Sequence, residues 1–336
     1  MSDPLRALML SDGREGHFNL SLGLLAAAGH LRPVTITRIE VKRGRWPGAA
    51  LAAWSNAGLS PQLLLKRVYG LDPSQLPKVD LVVSAGAETL AANIACARLL
   101  GSANVFYGSL RYFKPHDFSL VLTSYPANAK LPRHALALKP SAAAAAIWQS
   151  GRTQMSKPPQ RIAVLVGGPS GESAYTAADW NALIRLIAAL ANRCVGIQVS
   201  NSRRTPHAVS AKLRATIPND FIDVGEPGST SLADILSASD AVLVTDESSS
   251  MVSDGVAAGR PVLGLAPANH ALTSNERDYR AHLSQSGWYD AAPLASVTAD
   301  TAFAALARLS PVTTDPGLTL AALLRDRLPS LFTVTI

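Results

Sequence analysis

Residues 242–265, VLVTDESSSMVSDGVAAGRPVLGL, contain one complete strand–helix–strand pattern. An apolar, β-branched run ends at Thr245, and a helical pattern then extends from 248 to 258, where Gly259 and Pro261 end it. A second apolar run follows directly. Wholly apolar strands that alternate with helices are typical of a parallel sheet buried on both faces. This stretch therefore predicts an α/β fold.

The same alternation continues along the chain in two series, which a polar stretch at 149–160, QSGRTQMSKPPQ, separates. Strands are predicted at Leu5–Leu10, Val34–Val41, Val79–Ser84, Asn104–Tyr107, Phe118–Thr123, Arg161–Val166, Val195–Ser200, Phe221–Val224, Ala241–Thr245 and Pro261–Leu265. Helices are predicted at 18–28, 48–68, 88–100, 177–192, 206–215, 231–239, 248–258 and 274–286. The pattern predicts two Rossmann-like domains, residues 1–150 and 160–315, with parallel sheets that face a cleft.

Composition restricts the class of protein. The 336 residues are 48% hydrophobic, enough to bury the cores of two domains. An excess of 31 basic over 24 acidic residues gives a net charge of +7, which favours anionic partners. Aromatic residues make up 6%, which argues against a surface that stacks nucleic-acid bases. Cys96 and Cys194 have neither metal-site nor disulfide spacing.

No leader precedes the first strand, and no apolar run approaches the roughly 18 residues that span a bilayer. The sequence therefore predicts a cytoplasmic protein without a transmembrane segment. Its net positive charge is compatible with peripheral contact with the inner face of a membrane.

Ligands of open parallel sheets bind beyond the carboxyl ends of the strands. The first such junction, SDGREGH at 11–17, contains Asp12, Gly13, Gly16 and His17. Its spacing is not the G-x-G-x-x-G fingerprint, so a nicotinamide cofactor is disfavoured. Histidine titrates near neutral pH, so His17 is a candidate general base that Asp12 orients. The alternative is a tight turn in which Asp12 caps the helix.

A second junction, SAGAETL at 84–90, repeats this form with Gly86 and Glu88. Glu88 is favourable near a helix N-terminus with or without a function, so both interpretations stay open.

Three junctions of the second series contain candidate residues. At one of them a strand ends on Gly167 and Gly168. Another, NSRRTP at 201–206, sets two arginines beside small hydroxyls, which favours a phosphate clamp over a solvated rim. The third places three serines at a helix start, where backbone amides bind anions. Its acidic pair, 246–247, is adjacent and not of the D-x-D type, so no metal ion is expected.

These motifs resemble those of the mitochondrial fission (elongated mitochondria) family, in the family's order and over nearly the whole chain. The resemblance rests on SDGREGH, VGGPSG, NSRRTP, FIDVGEPG and VTDESSSMVSDGVAAGRPV. It implies a GT-B-like fold in which the C-terminal domain holds most of a nucleotide-sugar donor. It also implies that residues 316–336 form a C-terminal helix that returns toward the N-terminal domain.

The resemblance implies a role for each residue of this chain that matches one of the family's motifs. It implies donor contacts at Gly167, Gly168, Ser202, Arg203, Arg204, Thr205, Glu247, Ser248, Ser249, Ser250, Met251 and Asp254. On the acceptor side it implies His17 and Asp12 as catalytic residues, near Gly13, Gly16, Gly86 and Glu88. The family usually has basic residues after the third-strand glycine and a His-Asp pair after a later strand. This chain has Ala87 and Glu88 at the first of these places, and Ser124 and Tyr125 at the second.

Two functions follow from these observations. The first is a metal-independent GT-B-like glycosyltransferase, with a nucleotide-diphosphate sugar as substrate, no further cofactor, and an anionic or lipid-linked acceptor as one option. Arginines and the dipole of a helix would stabilise the leaving diphosphate. The second is a non-catalytic nucleotide-binding or membrane-surface scaffolding protein on the same fold. Release of a nucleoside diphosphate distinguishes the two.

Overall fold

The computed structural model describes residues 3–151, 155–171, 173–193 and 196–332. These residues divide into two compact units, one that extends to Ala142 and resumes at Pro316, and one at Ala143–Asp315. The sequence placed the first boundary at 150, whereas the helix that ends at Ser150 belongs almost entirely to the second unit. There the indole of Trp148 donates a hydrogen bond to the carbonyl of Ala257, at 2.8 Å.

Strands and helices alternate through both units. The strands are β1 (Leu5–Ser11), β2 (Val34–Glu40), β3 (Leu81–Ala85), β4 (Ala103–Tyr107), β5 (Leu120–Thr123), β6 (His134–Leu136), β7 (Arg161–Leu165), β8 (Ser173–Ala174), β9 (Gly196–Ser200), β10 (Phe221–Ile222), β11 (Ala241–Thr245), β12 (Val262–Ala266), β13 (Asn269–His270) and β14 (Tyr289–Pro293). The helices are α1 (Glu15–Gly29), α2 (Gly48–Asn56), α3 (Pro61–Tyr69), α4 (Leu90–Leu100), α5 (Ala142–Ser150), α6 (Ala177–Ala191), α7 (His207–Thr216), α8 (Leu232–Ser237), α9 (Ser249–Ala257), α10 (Ser274–Gln285), α11 (Ala299–Arg308), α12 (Pro316–Arg327) and α13 (Pro329–Phe332). Short 3-10 helices lie at Pro73–Gln75, Pro115–Asp117 and Asn128–Lys130.

The sheet of the first unit has six described strands in the order β2-β1-β3-β4-β5-β6, and every pair is parallel. The chain leaves β1 toward one edge and returns to add β3 on its other side. This reversal is a topological switch point, and ligands of open sheets bind outside the strand ends at such a point. In the first unit, the switch point lies at the carboxyl ends of β1 and β3.

Two features of the first unit differ from the prediction. The helix predicted at 48–68 is two helices, because Gly58 has a φ of +69° and Ser60 caps α3 by accepting a hydrogen bond from the amide of Leu63. The three-residue strand β6 was not predicted.

The last long helix, α12, belongs to the first unit. Its buried side chains Leu320 and Leu324 share a core with Leu24 and Leu25 of α1 and with the strands of the sheet. Full burial of a leucine side chain contributes about 1.5–3 kcal/mol, so this contact is a substantial part of the unit's stability.

The sheet of the second unit has the order β10-β9-β7-β11-β12-β14, with all described pairs parallel. When only the six strands of this sheet are numbered along the chain, this is the Rossmann order 3-2-1-4-5-6, and its switch point lies between β7 and β11. Strand β14 and the small antiparallel pair of β8 and β13 were not predicted. The strand predicted to reach Val224 ends at Ile222, and Cys194 and Val195 lie outside the described residues.

None of the described helices combines the length and the apolar character that are needed to cross a membrane.

Candidate functional sites at the two switch points

The first site is the turn between β1 and α1. The carboxylate oxygen Oδ2 of Asp12 lies 2.7 Å from Nδ1 of His17. The Asp12 side chain is 1% exposed and that of His17 is 30% exposed. An ionised carboxylate can only accept, so Nδ1 is the donor in this contact, and the lone pair of a neutral imidazole is then on Nε2. The sequence predicted this pair, and the fold brings it together at the switch point.

The turn itself depends on Gly13 and on the same carboxylate. Gly13 has a φ of +78°, and the second oxygen of Asp12 accepts a hydrogen bond from the amide of Arg14 at 3.1 Å. The N-cap of α1 is Arg14, which makes no side-chain cap. Asp12 therefore braces the turn and holds the His17 ring, but it does not cap α1; the tight turn of the alternative interpretation is present. Gly16 lies in the first turn of α1, and a Cβ there would meet nothing within 4 Å.

The end of β3 packs directly on this pair. Gly86 has a φ of +91°, and a Cβ there would overlap Nδ1 of His17, lie 2.6 Å from its Cε1 and 2.9 Å from Oδ2 of Asp12. Only glycine fits without moving these groups. Glu88 is half-buried beyond it, and its carbonyl accepts a hydrogen bond from the hydroxyl of Tyr69 at 3.0 Å. Gly86 thus limits the position of the His17 ring.

The second site begins at Gly167 and Gly168, directly beyond β7. The amide of Gly167 donates to Oγ1 of Thr245 at 2.7 Å, and the amide of Gly168 donates to Oε1 of Glu247 at 2.8 Å. A Cβ on Gly167 would overlap Oε1 of Glu247, and one on Gly168 would overlap the carbonyl oxygen of Arg204. The ends of β7, β9 and β11 therefore meet at these two glycines.

Glu247 lies at the centre of this meeting point. Its side chain is fully buried, and its carboxylate also accepts a hydrogen bond from the hydroxyl of Tyr175. Burial raises the pKa of Glu247 above its ordinary value. Burial and the neighbouring carboxylate raise the pKa of Tyr175, which keeps that hydroxyl protonated as a donor. The oxygens of this carboxylate face Gly168 and Tyr175, so it holds the glycine loop in place; its contact with a donor stays a prediction.

The turn after β9 carries the two predicted arginines. Oγ1 of Thr205 lies 2.7 Å from the carbonyl oxygen of Gly167 and accepts a hydrogen bond from the amide of Ser202 at 2.9 Å. Arg203 and Arg204 are exposed, and the Arg204 guanidinium lies 3.3 Å from the carbonyl oxygen of Gly168 and 3.5 Å from Glu247. Thr205 thus fixes the turn, and the arginines are the groups that solvent can reach.

The three serines at the start of α9 have different environments. Ser248 is buried, Ser249 donates a hydrogen bond to Glu276 at 2.6 Å, and Ser250 is exposed. Met251 and Asp254 are half-buried in the first turns of the helix. The amides of a first helical turn have no acceptor within the helix, so this end of α9 favours an anion.

A buried network beside Glu247 was missed by sequence reasoning. Asp246, 3% exposed, accepts hydrogen bonds from Nε of Arg280 at 3.1 Å, the hydroxyl of Tyr289 at 2.6 Å and Nε2 of His270 at 2.9 Å. Nδ1 of His270 in turn accepts from the hydroxyl of Ser173 at 2.8 Å. Burial alone would lower the pKa of Arg280, but Asp246 raises it above its ordinary value. This network ties β8 and β13 to the end of β11.

Among the described residues, no group of three or more His, Cys, Asp or Glu side chains is arranged to hold a metal ion.

Comparisons with known proteins agree with this architecture. Residues 15–309 match the family described as mitochondrial fission ELM1. No curated protein matches the sequence. A putative UDP-N-acetylglucosamine 2-epimerase from Listeria monocytogenes is similar in structure, with a TM-score of 0.57 and 11% identity over 98% of each chain.

Two further solved structures are similar. One is the UDP-GlcNAc 2-epimerase from Neisseria meningitidis bound to UDP-GlcNAc, with a TM-score of 0.55 and 10% identity over 98% of this chain and 100% of that chain. The other is the glycotransferase of kitacinnamycin, with a TM-score of 0.50 and 13% identity over 98% of this chain and 96% of that chain. At such identities the likeness concerns the fold, which is GT-B-like.

Proposed function

The chain belongs to the mitochondrial fission ELM1 family, and from that premise we propose that it is a glycosyltransferase. It transfers a sugar from a nucleotide-diphosphate sugar to an acceptor hydroxyl, without a metal ion. The observation that carries the proposal is the meeting of three strand ends at Gly167 and Gly168, beside Arg204 and the start of α9.

The charges at this meeting point suit a diphosphate. Exposed guanidinium groups of Arg203 and Arg204 make charge-assisted, bidentate hydrogen bonds to phosphate oxygens. The amides at the start of α9 and the exposed hydroxyl of Ser250 add donors. Asp254, one turn further along α9, is suited to accept hydrogen bonds from sugar or ribose hydroxyls. Together these groups offset the charge of the leaving diphosphate.

The first unit supplies the base in this proposal. Nε2 of His17 takes the proton from the acceptor hydroxyl while Asp12 holds the ring through Nδ1. The acceptor oxygen forms a bond to the anomeric carbon of the sugar, and the bond from that carbon to the diphosphate oxygen breaks. The negative charge that leaves with the diphosphate is stabilised by the arginines and the helix dipole.

Nucleotide binding is the first test. UDP and UDP-GlcNAc are the probes, because similar structures carry UDP-GlcNAc in their names. In calorimetric titrations, Arg203→Ala and Arg204→Ala should each weaken binding by roughly 1.5–3 kcal/mol, the range of hydrogen bonds to charged groups. Arg185→Ala, at an exposed position of α6, is the matched control. Unchanged affinity in both single variants and in the double variant would contradict the donor site.

The scaffolding alternative makes a different prediction. The net charge of +7 and the replacement of the family's acceptor-side residues by Ala87 and Glu88 favour it. A scaffold would bind the nucleotide sugar, lose that affinity in the arginine variants, and release no nucleoside diphosphate with any acceptor. Acceptor-dependent release of the diphosphate supports the transferase.

A further inference from the structure

Large apolar side chains are exposed on one side of the first unit. Tyr112 is 68% exposed, Leu59 53%, Leu63 46% and Trp46 40%. Single exposed apolar residues are normal, but soluble monomers rarely keep a contiguous group of them without a binding partner. Whether these four form a group depends on their neighbours.

Contacts between α2, α3 and a nearby turn bring the four together. The ring of Trp46 lies edge-on to Trp54, with centroids 6.2 Å apart, and the carbonyl of Trp54 accepts a hydrogen bond from the amide of Leu59 at 3.3 Å. The side-chain amide of Asn56, at the end of α2, donates to the carbonyl of Tyr112 at 3.1 Å. Leu63 lies in the first turn of α3, four residues after Leu59.

The turn that presents Tyr112 is firmly anchored. Leu110 and Phe113 are buried in the core cluster that also contains Leu64 of α3. Between them, Arg111 has a φ of +54°, in the left-handed region that costs a non-glycine residue about 1–2 kcal/mol. The buried neighbours maintain this conformation, which leaves Arg111 and Tyr112 exposed. The exposure of these two side chains is therefore built into the fold.

The two chain segments that form this surface contain basic residues and no acidic ones. Residues 41–71 contain five Lys or Arg and no Asp or Glu, and residues 108–116 contain Arg111 and Lys114 and again no acid. Three carboxylates flank these segments: Glu40 is paired with Arg38, Asp117 is paired with Arg98, and Asp72 accepts hydrogen bonds from Ser74. We call this surface the α2–α3 face, defined by Trp46, Leu59, Leu63 and Tyr112 with Arg45, Lys66, Arg67 and Arg111.

We propose that the α2–α3 face docks on an anionic lipid bilayer. Aromatic and leucine side chains enter the boundary between headgroups and acyl chains, while surrounding Lys and Arg attract acidic headgroups. Nucleic acid would use the cations but would gain little from exposed leucines, which do not stack on bases. The proposal does not depend on the transferase activity, since it concerns neither switch point.

Flotation with lipid vesicles tests this proposal. The full chain should float with vesicles of phosphatidylcholine mixed with phosphatidylglycerol, and remain unbound with phosphatidylcholine alone. Added salt should weaken the binding, because the Debye length falls to about 3 Å at 1 M salt. A chain that fails to bind the anionic vesicles at low salt would overturn the proposal.

Two sets of substitutions locate the surface. A charge variant combines Lys66→Gln, Arg67→Gln and Arg111→Asn, where asparagine tolerates the left-handed backbone. It should lower vesicle affinity by about 100-fold, from roughly fivefold per cation near the surface. An apolar variant combines Leu59→Ser, Leu63→Ser and Tyr112→Ser, and should also lose binding.

Matched controls come from exposed positions elsewhere. Arg185→Gln, Lys212→Gln and Arg308→Gln together remove the same charge from the second unit, and Val224→Ser with Leu318→Ser removes exposed apolar side chains. Both controls should bind vesicles like the wild type. Equal loss in a control and in its matched variant would overturn the proposal. So would an apolar variant that still binds vesicles while an oligonucleotide displaces the protein, since that result identifies a general polyanion surface.

Discussion

Replacement of Gly168 by alanine is the most direct test of how the second site is held together. The new Cβ would overlap the carbonyl oxygen of Arg204, lie 2.5 Å from its carbonyl carbon and 3.0 Å from the amide nitrogen of Thr205. All three are backbone atoms that cannot rotate away, so the turns after β7 and β9 must separate. Their separation weakens two hydrogen bonds. One runs from Oγ1 of Thr205 to the carbonyl oxygen of Gly167, at 2.7 Å, and the other from the amide of Gly168 to Oε1 of Glu247, at 2.8 Å.

The expected loss of stability follows from these two bonds. A neutral hydrogen bond contributes about 0.5–1.5 kcal/mol and one to a charged group about 1.5–3 kcal/mol, so Gly168→Ala should cost about 2–4 kcal/mol. Chemical denaturation measures this, and a titration with UDP measures the accompanying loss of affinity. Gly171→Ala is the control, because it lies in the same loop and its Cβ would meet nothing within 4 Å. If both variants were equally stable and bound UDP equally, the packing of these turns would not be as described.

Three further predictions concern other groups. His17→Ala should lower turnover by roughly 100-fold or more with donor affinity intact, and Asp12→Asn should have a smaller effect, as steady-state rates and titrations will show. Gly86→Ala should reduce turnover as His17→Ala does, because its Cβ would displace the ring; rates like those of the wild type would contradict this. Burial raises the pKa of Asp240, but hydrogen bonds from the Arg161 side chain and three backbone amides lower it to about 2. The stability that this carboxylate provides is therefore complete above its unfolded pKa of about 3.9 and is lost as the pH falls through about 2. Asp240→Asn should cost about 2 kcal/mol of unfolding free energy at neutral pH, and chemical denaturation at several pH values should show a weaker dependence of stability on pH below about 4.

Sequence patterns predicted the strands that are buried on both faces. The predicted Ala241–Thr245 coincides with β11, whose five residues are all buried, because a continuous apolar run has no other place in an α/β fold. Strand β14 was missed, since Asp290 and Pro293 interrupt its apolar character and only one of its five residues, Tyr289, is buried. Strands β8 and β13, each of two residues, carry no periodicity that a sequence could show.

The candidate sites were predictable only in part, because the local sequence does not determine the direction of each side chain. Strand ends identify which residues reach the ligand-binding edge of a sheet, and Asp12, His17, Gly86 and Gly168 were found in that way. The direction of each side chain depends on partners that are remote in sequence. Asp246 and Glu247 are adjacent, yet one faces His270, Arg280 and Tyr289 and the other faces Gly168 and Tyr175. No local pattern distinguishes these two orientations.

The same local arrangement occurs at both switch points and has different consequences. At each, a glycine from one strand end leaves space that a carboxylate from the neighbouring strand end occupies: Gly86 faces Asp12, and Gly167 faces Glu247. In the first unit the carboxylate orients an imidazole that is 30% exposed, so a group able to exchange protons reaches solvent. In the second unit the carboxylate is fully buried and accepts hydrogen bonds from an amide and a phenol, so it does not reach solvent. This difference supports the proposed division of roles, with proton transfer at the first switch point and a glycine loop held against an anion at the second.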